Sequence, residues 1–224
     1  MSGDRAAEKR RAAIAAAELV PDGAVVGLGS GSTVRYAIEY LGEQVAAGDD
    51  IVGVPTSTQA ADRARSAGIP VRHPADVPGI DIAIDGADQV AGGTLIKGGG
   101  GAHLREKIIA QAAAQFVVIV DSSKVVDTLD RAIPVEVLPA ARSLVIEAIE
   151  SVGGHATLRE HHDYPVITEN GNELLDCDFG TVTNPQAIAA SLADIPGILE
   201  HGLFLEGVDT ILVGTPDGGV ERYP

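Results

Sequence analysis

Apolar positions in this chain fall into two textures. Short unbroken runs, Ala24–Leu28, Ile51–Val54, Ile80–Ile84 and Phe116–Val120, read as buried strands, because a strand covered on both faces needs no alternation. Between them, apolar residues recur at helical spacing over Val34–Val45 and Ala60–Ala67, and helical sequence after Gly101 is completed by Ala110–Gln115. A first helix is expected around Ala12–Ala17, closed by Pro21-Asp22-Gly23, and Gly68 stops the third. Ile69–Arg72 reads as a short strand, with Pro70 placing it at an edge or a strand start. Strands alternating with helices predict an α/β fold with a Rossmann-like, mostly parallel sheet and helices on both faces.

From Ile133 the texture changes. Strands are expected over Pro134–Val137, His155–Arg159, Pro165–Thr168, Glu173–Cys177 and Ile198–Leu205, with helices over Ala140–Glu150 and Pro185–Leu192. Glu169-Asn170-Gly171-Asn172 is a hairpin signal. The succession predicts a smaller α+β open-faced sandwich, ferredoxin-like, over residues 131–206. It would be inserted before a last strand, Thr210–Val213, that returns to the first sheet, so that residues 1–130 and 207–224 form the Rossmann-like catalytic domain. With no linker at the border, two abutting domains with a cleft between them are expected.

Charge narrows the partners. The formal net charge of −16 disfavours nucleic acid and anionic membranes, which are bound chiefly through Lys and Arg. No apolar run approaches the roughly 20 residues that cross a bilayer. The single cysteine, Cys177, excludes an intrachain disulfide and a multi-thiolate metal site, and suits a reducing cytoplasm. The six histidines show no ligand spacing, and His161-His162 reads as a solvated turn, so no metal is expected. Only four lysines occur, Lys9, Lys97, Lys107 and Lys124, two of them in glycine- or serine-rich loops. An acidic, lysine-poor surface stays soluble where salt shortens the screening length to about 3 Å at 1 M, so a salt-loving source is expected.

The candidate chemistry gathers at the carboxyl ends of the expected strands, where open α/β sheets bind ligands. Gly29-Ser30-Gly31-Ser32-Thr33, between a strand and a helix, reads as a phosphate cradle: glycines allow close approach, Ser32 and Thr33 offer hydroxyls and a cap, and helix-start amides favour an anion. It is neither the dinucleotide fingerprint nor a P-loop. Thr56, Ser57 and Thr58 read as helix capping, with contact to a ligand's hydroxyls as the alternative. Asp85 and Asp88 flank Gly86 and Ala87, a spacing that sets two carboxylates near each other and raises the proton affinity of one. Lys97 then opens Gly98-Gly99-Gly100-Gly101, a cation and amides suited to an oxyanion, and Glu106 follows about one helical turn later as a candidate base. Such a set suits proton abstraction next to a carbonyl, as in an aldose–ketose isomerase working through an enediolate. Lys124, in Asp121-Ser-Ser-Lys124, would bind substrate hydroxyls or phosphate, unless it is a plain surface lysine.

These blocks, with Pro134-Val-Glu-Val-Leu-Pro139 and Asn170-Gly-Asn172, resemble the type A ribose-5-phosphate isomerase family, in order and over nearly the whole chain. The resemblance implies interconversion of ribose 5-phosphate and ribulose 5-phosphate without a cofactor, in the pentose phosphate pathway. It implies Glu106 as proton acceptor, Asp85, Asp88 and Lys97 in ring opening and charge stabilisation, and Ser30–Thr33, Gly86, Ala87, Gly98, Gly99, Gly100 and Lys124 around the substrate, with Lys9 matching a lysine of the family's first helix. A homodimer or homotetramer is implied as well. Gln89 and His103 depart from the usual glutamate and aliphatic residue. The alternatives are sugar-phosphate deaminases and coenzyme A transferases of related fold, and a sugar-phosphate-sensing regulatory module without turnover.

Overall fold

The structure is a computed structural model that describes residues 2–224, with side chains from Arg5 onward. In chain order the first elements are α1 (Ser2–Ala17), β1 (Val25–Leu28), α2 (Val34–Ala47), β2 (Val52–Pro55), α3 (Thr58–Ser66), β3 (Ile80–Asp85), a hairpin of β4 (Gln89–Ala91) and β5 (Thr94–Ile96), α4 (His103–Ala112) and β6 (Ala113–Asp121). Next come β7 (Ile133–Val137), α5 (Arg142–Ser151), β8 (His155–Leu158), a small hairpin of β9 (Glu160–His161) and β10 (Tyr164–Pro165), β11 (Glu173–Asp178), α6 (Pro185–Ala193), β12 (Ile198–His201) and β13 (Leu203–Phe204). The chain closes with β14 (Thr210–Gly214) and β15 (Val220–Tyr223). Two compact units result, one of residues 1–87, 105–125 and 207–224, the other of residues 88–104 and 126–206. The second therefore takes in residues 88–104 and 126–130 besides the expected 131–206.

The first unit is built on a six-stranded sheet in the order β15-β14-β6-β3-β1-β2. Every pairing is parallel except β14 with the edge strand β15. Its core joins the strand interiors Val26, Leu28, Ile82, Ile84, Val117 and Ile119 to Ala12, Ala13, Ala16 and Ala17 of α1 and Ile38 and Leu41 of α2, all buried. Alanines on α1 let its backbone lie close to the sheet, and each buried Leu or Ile contributes about 1.5–3 kcal/mol. At Gly27 a Cβ would stand 2.6 Å from Ile109 Cγ2, so the glycine admits α4 against β1. Because α4 leads directly into β6, its C-terminus lies at the amino edge of the sheet. Its first turn, with Glu106, stands at the carboxyl edge.

The second unit carries a four-stranded antiparallel sheet, β12-β7-β11-β8, with α5 and α6 supplying Val145, Ile149, Ala189 and Leu192 to its core. In its own chain order this is 4-1-3-2 with β-α-β-β-α-β connectivity, the ferredoxin-like arrangement that was expected. A three-stranded sheet, β13-β5-β4, completes the unit. Within it Glu136 is fully buried, and its carboxylate accepts from Thr168 Oγ1 at 2.8 Å, Asn172 Nδ2 at 2.8 Å and Asn170 Nδ2 at 3.0 Å. The Pro-Val-Glu-Val and Asn-Gly-Asn blocks are thereby one polar network, which meets the requirement that a buried charge be hydrogen-bonded.

Several expectations change. Residues 113–115 are strand rather than helix, since Ala113 and Gln115 pair with Ile80 and Ile82 and the sheet overrides local helix preference. Ile69–Arg72 forms only an isolated bridge, Val71 to Gly53. Pro165–Thr168 is divided, Pro165 pairing with Glu160 and Ile167 bridging Glu173. Ile198–Leu205 splits at Gly202 into strands of two different sheets, because Gly202 passes so near Lys97 that a Cβ would stand 2.2 Å from its carbonyl oxygen.

Candidate active site

Asp85 ends β3 and is buried, 3% exposed, directly beside the Gly29 turn. Its Oδ1 accepts from the backbone N–H groups of Ser30 at 3.1 Å and Gly86 at 2.7 Å. Two amide donors hold this carboxylate against the end of β1. The Gly29 N–H in turn donates to Ile84 O at 2.9 Å, which locks the turn to β3. Ser30 Oγ lies 2.9 Å from Thr56 Oγ1 and donates to Ser57 Oγ at 2.7 Å, while Ser57 also caps α3 by accepting from the Ala60 N–H at 3.1 Å. Capping was the expected role, and the tie to Ser30 is additional. Thr33 precedes α2 but makes no side-chain capping bond, so the cap expected from it is not formed. The backbone of Ser30–Thr33 is instead braced by Arg63, whose guanidinium donates to Gly31 O at 3.0 Å.

Lys9, half-buried on α1, donates to Ser32 Oγ at 3.0 Å and lies 3.8 Å from Asp121 Oδ2. Thus α1 brings its ammonium to the serine turn. Glu8 beside it is buried and accepts from both the N–H and the Oγ of Ser122, at 3.0 and 2.6 Å, fixing the one-turn 3₁₀ segment Ser122–Lys124 that carries Lys124. Glu8 and Asp121 were not among the expected residues. Their signal was adjacency alone: each is a carboxylate next to, or three residues from, a lysine already singled out. Glu106 belongs to the same unit, buried at 7% exposure in the first turn of α4.

The remaining expected residues lie in the second unit. Lys97 follows β5, is 2% exposed, and its Nζ stands 5.4 Å from the centre of the Phe204 ring. Asp88 Oδ2 accepts from the Gly99 N–H at 2.7 Å. Gly98 and Gly101 have φ of 97° and 78°, which side chains disfavour, and the Gly101 N–H closes the turn on Gly98 O at 3.0 Å. Gly99 and Gly100 are exposed. His103 is fully buried, its Nε2 3.1 Å from Glu200 O, and it crowds Gly98 so closely that a Cβ there would stand 2.8 Å from the imidazole Nδ1. Gln89 accepts through Oε1 from the Asp130 and Arg131 N–H groups, at 3.0 and 3.1 Å, and donates through Nε2 to Asp130 Oδ1. A glutamate at that position would lack the donor that Asp130 uses here.

The model of the family described as ribose 5-phosphate isomerase A (phosphoriboisomerase A) matches residues 52–218. The chain belongs to this family. A ribose-5-phosphate isomerase A of Haloarcula marismortui is 53% identical over 222 residues, 98% of this chain and 97% of that one. That of Gluconobacter oxydans is 48% identical over 100% of this chain and 99% of its own. Among solved structures, ribose 5-phosphate isomerase A of Methanocaldococcus jannaschii superposes with a TM-score of 0.91 at 41% identity, covering 96% of this chain and 97% of that one. A D-ribose-5-phosphate isomerase in complex with phospho-erythronic acid gives a TM-score of 0.92 at 42% identity, covering 96% of each. Phosphoriboisomerase A architecture thus extends over both units. Among the described residues no group of His, Cys, Asp and Glu is arranged to hold a metal ion, and no helix is long and apolar enough to cross a membrane.

Proposed function

We propose that this chain interconverts D-ribose 5-phosphate and D-ribulose 5-phosphate. The observation that carries the reading is the full-length match to family members of that name, one of them bound to the phosphate of a four-carbon sugar acid. The carboxylate of such an acid imitates the charged oxygens of an enediolate. A regulatory module without turnover has no comparable support.

In the proposed mechanism Asp85, Asp88 and Lys97 assist ring opening, in which the anomeric hydroxyl loses its proton and the ring oxygen gains one. Glu106 then takes the proton from C2 of the open aldose. The C–H electron pair becomes the C1–C2 double bond, and the carbonyl pair moves onto O1. Lys97 and the Gly98 and Gly100 amides offset that charge, the Gly99 N–H being held by Asp88, and donors fixed in advance do so without reorganising. The hydroxyl proton of O2 passes to O1, and Glu106 returns its proton to C1, leaving the ketone at C2. Lys9, Ser30–Thr33 and Lys124 hold the phosphate end, and Gly86 and Ala87 line the sugar. Every group invoked belongs to the chain, so the reaction is drawn without a cofactor. The expected setting is the cytoplasm, with the enzyme a homodimer or homotetramer.

The test is ketose formation from ribose 5-phosphate by the native protein and by Glu106→Gln. The amide keeps the shape and removes the base, so turnover should fall by about three orders of magnitude or more with substrate binding largely retained. Undiminished turnover in the variant would place the base elsewhere, with Asp85 the next candidate.

A further inference from the structure

In the second unit one side chain outside every expected site grips the glycine turn. Arg159, the residue just after β8, sends a single guanidinium nitrogen, Nη1, to the carbonyl oxygens of both Gly98 and Gly99, at 3.0 and 3.1 Å. Its other two nitrogens are taken by Asp176 of β11: Nε donates to Oδ2 at 2.9 Å and Nη2 to Oδ1. All three guanidinium nitrogens are therefore engaged, through four of the five N–H groups, and the side chain is only 17% exposed. Asp176 is held by the sheet, where it pairs with Thr157 on one side and Pro134 on the other.

We infer that Arg159 is a positioning residue for the isomerase reaction: by pinning two successive carbonyls of the glycine turn it aims the turn's amides. In a trans peptide the N–H points opposite to the carbonyl of the same plane. Fixing Gly98 O therefore fixes the direction of the Gly99 N–H, which reaches Asp88 Oδ2 at 2.7 Å. Fixing Gly99 O fixes the Gly100 N–H in the same way. Four glycines in a row have wide conformational freedom, and the Arg159 grip adds to the Gly101–Gly98 turn bond and the Asp88 contact in narrowing it. A lysine cannot replace the arginine, because its ammonium cannot span two carbonyls and a bidentate carboxylate.

The inference rests on the isomerase reading, since it assigns a purpose to amides that the reading uses. The test compares native protein with Arg159→Ala and Arg159→Lys on ribose 5-phosphate. Loss of a preorganised donor costs about 10²–10³ in turnover, so kcat of Arg159→Ala should fall about 100-fold while KM stays within about threefold. Arg159 lines a hollow of about 360 Å³ with Asp88, Gly99, Arg131 and Asp176, so methylguanidinium has access to the vacated place. It should restore part of the lost kcat in Arg159→Ala, beyond the effect of equal sodium chloride, and none in Arg159→Lys. A merely structural role would not respond in that way. A kcat of Arg159→Ala within threefold of native, or a rise in KM alone, overturns the inference. Should Arg159→Ala not fold, Arg159→Lys keeps a cation beside Asp176 and is read by the same kcat criterion. Amide hydrogen exchange over Gly98–Leu104 separates the two readings. If native protein shows no turnover, the isomerase reading fails, and the grip still stands or falls on whether exchange there quickens in the variant.

Discussion

Replacing Gly29 by alanine tests how the sheet delivers Asp85. Gly29 does not have a positive φ, so its backbone suits any residue and the objection to a side chain is purely one of space. A Cβ on Gly29 would stand 1.9 Å from Asp85 Oδ1 and 2.1 Å from its Cγ, where ordinary contact begins at 3.4 Å. The carboxylate must therefore retreat by about 1.5 Å, or the turn must rise off the sheet by as much. Either movement breaks the bonds from Ser30 N and Gly86 N, at 3.1 and 2.7 Å. Hydrogen bonds to a buried charged acceptor are worth about 1.5–3 kcal/mol each, and partial relaxation leaves an expected loss of about 2–4 kcal/mol. For a chain of this size that lowers the thermal midpoint by roughly 5–15 °C. Displacement of a reacting group by about 1 Å costs about 100-fold in rate, so kcat should fall at least that far. The assay is ketose formation alongside thermal unfolding, with Gly79→Ala as control, because a Cβ at Gly79 meets nothing within 4 Å. Native-like kcat in Gly29→Ala, or a midpoint no lower than the control's, would refute the idea that the glycine exists to admit this carboxylate.

Two further outcomes are expected. Burial, followed by the Asp176 charge and partly offset by Arg159, pushes the Cys177 thiol up to about 12 from 9.0, so the folded thiol should stay inert to thiol reagents at pH 8 and react only on unfolding. The folded state then keeps a proton the unfolded chain loses, so this group's contribution is complete below about pH 9 and drains as pH rises toward 12; a thermal midpoint that climbs across that window would contradict the sign. With a formal charge of −16, raising potassium chloride from about 0.1 M to 1 M shortens the screening length from about 10 to about 3 Å and should raise the thermal midpoint by several degrees, whereas a midpoint indifferent to salt would remove self-repulsion as a factor.

What could be read along the chain was whatever is written locally. The unbroken runs at Ile80–Ile84 and Phe116–Val120 declare buried parallel strands, and the ferredoxin-like arrangement follows from the succession of strands and helices after Ile133, whereas the turn at Asn170-Gly171 closes only an isolated bridge from Ile167 to Glu173. Ala113 and Gln115 mislead because the information that makes them strand resides in Ile80 and Ile82, more than thirty residues away. The hairpin β4–β5 lies in what reads as a spacer, three residues a side being too short for a period to show. Gly202 resembles any strand glycine until Lys97 is found against it. Arg159 was invisible for the same reason, since its partners Gly98 and Gly99 are sixty-one and sixty residues distant.

The proposed phosphate end of the site poses the question of how an acidic chain would manage a doubly charged substrate. Lys9 is tied to the serine turn, as is Arg63 through Gly31 O, yet Asp121, 2% exposed, stands 3.8 Å from Lys9 and offsets part of its charge. Glu8 adds a second buried carboxylate within the same few residues, bound to Ser122. Net positive charge is therefore a poor account of how the proposed site would bind phosphate. On the proposed reading, directed dipoles are a better one: the hydroxyl of Ser32, and the backbone amides where the Gly29 turn enters α2, offer donors without adding formal charge, while the Ser30 hydroxyl is spent on Ser57. On this view the lysines orient and the amides bind. The binding then depends on backbone geometry, which salt does not screen, more than on long-range attraction, which salt abolishes. A phosphate cradle of this kind suits a surface that carries sixteen surplus negative charges, because it asks for no basic patch that such a surface would have to sustain.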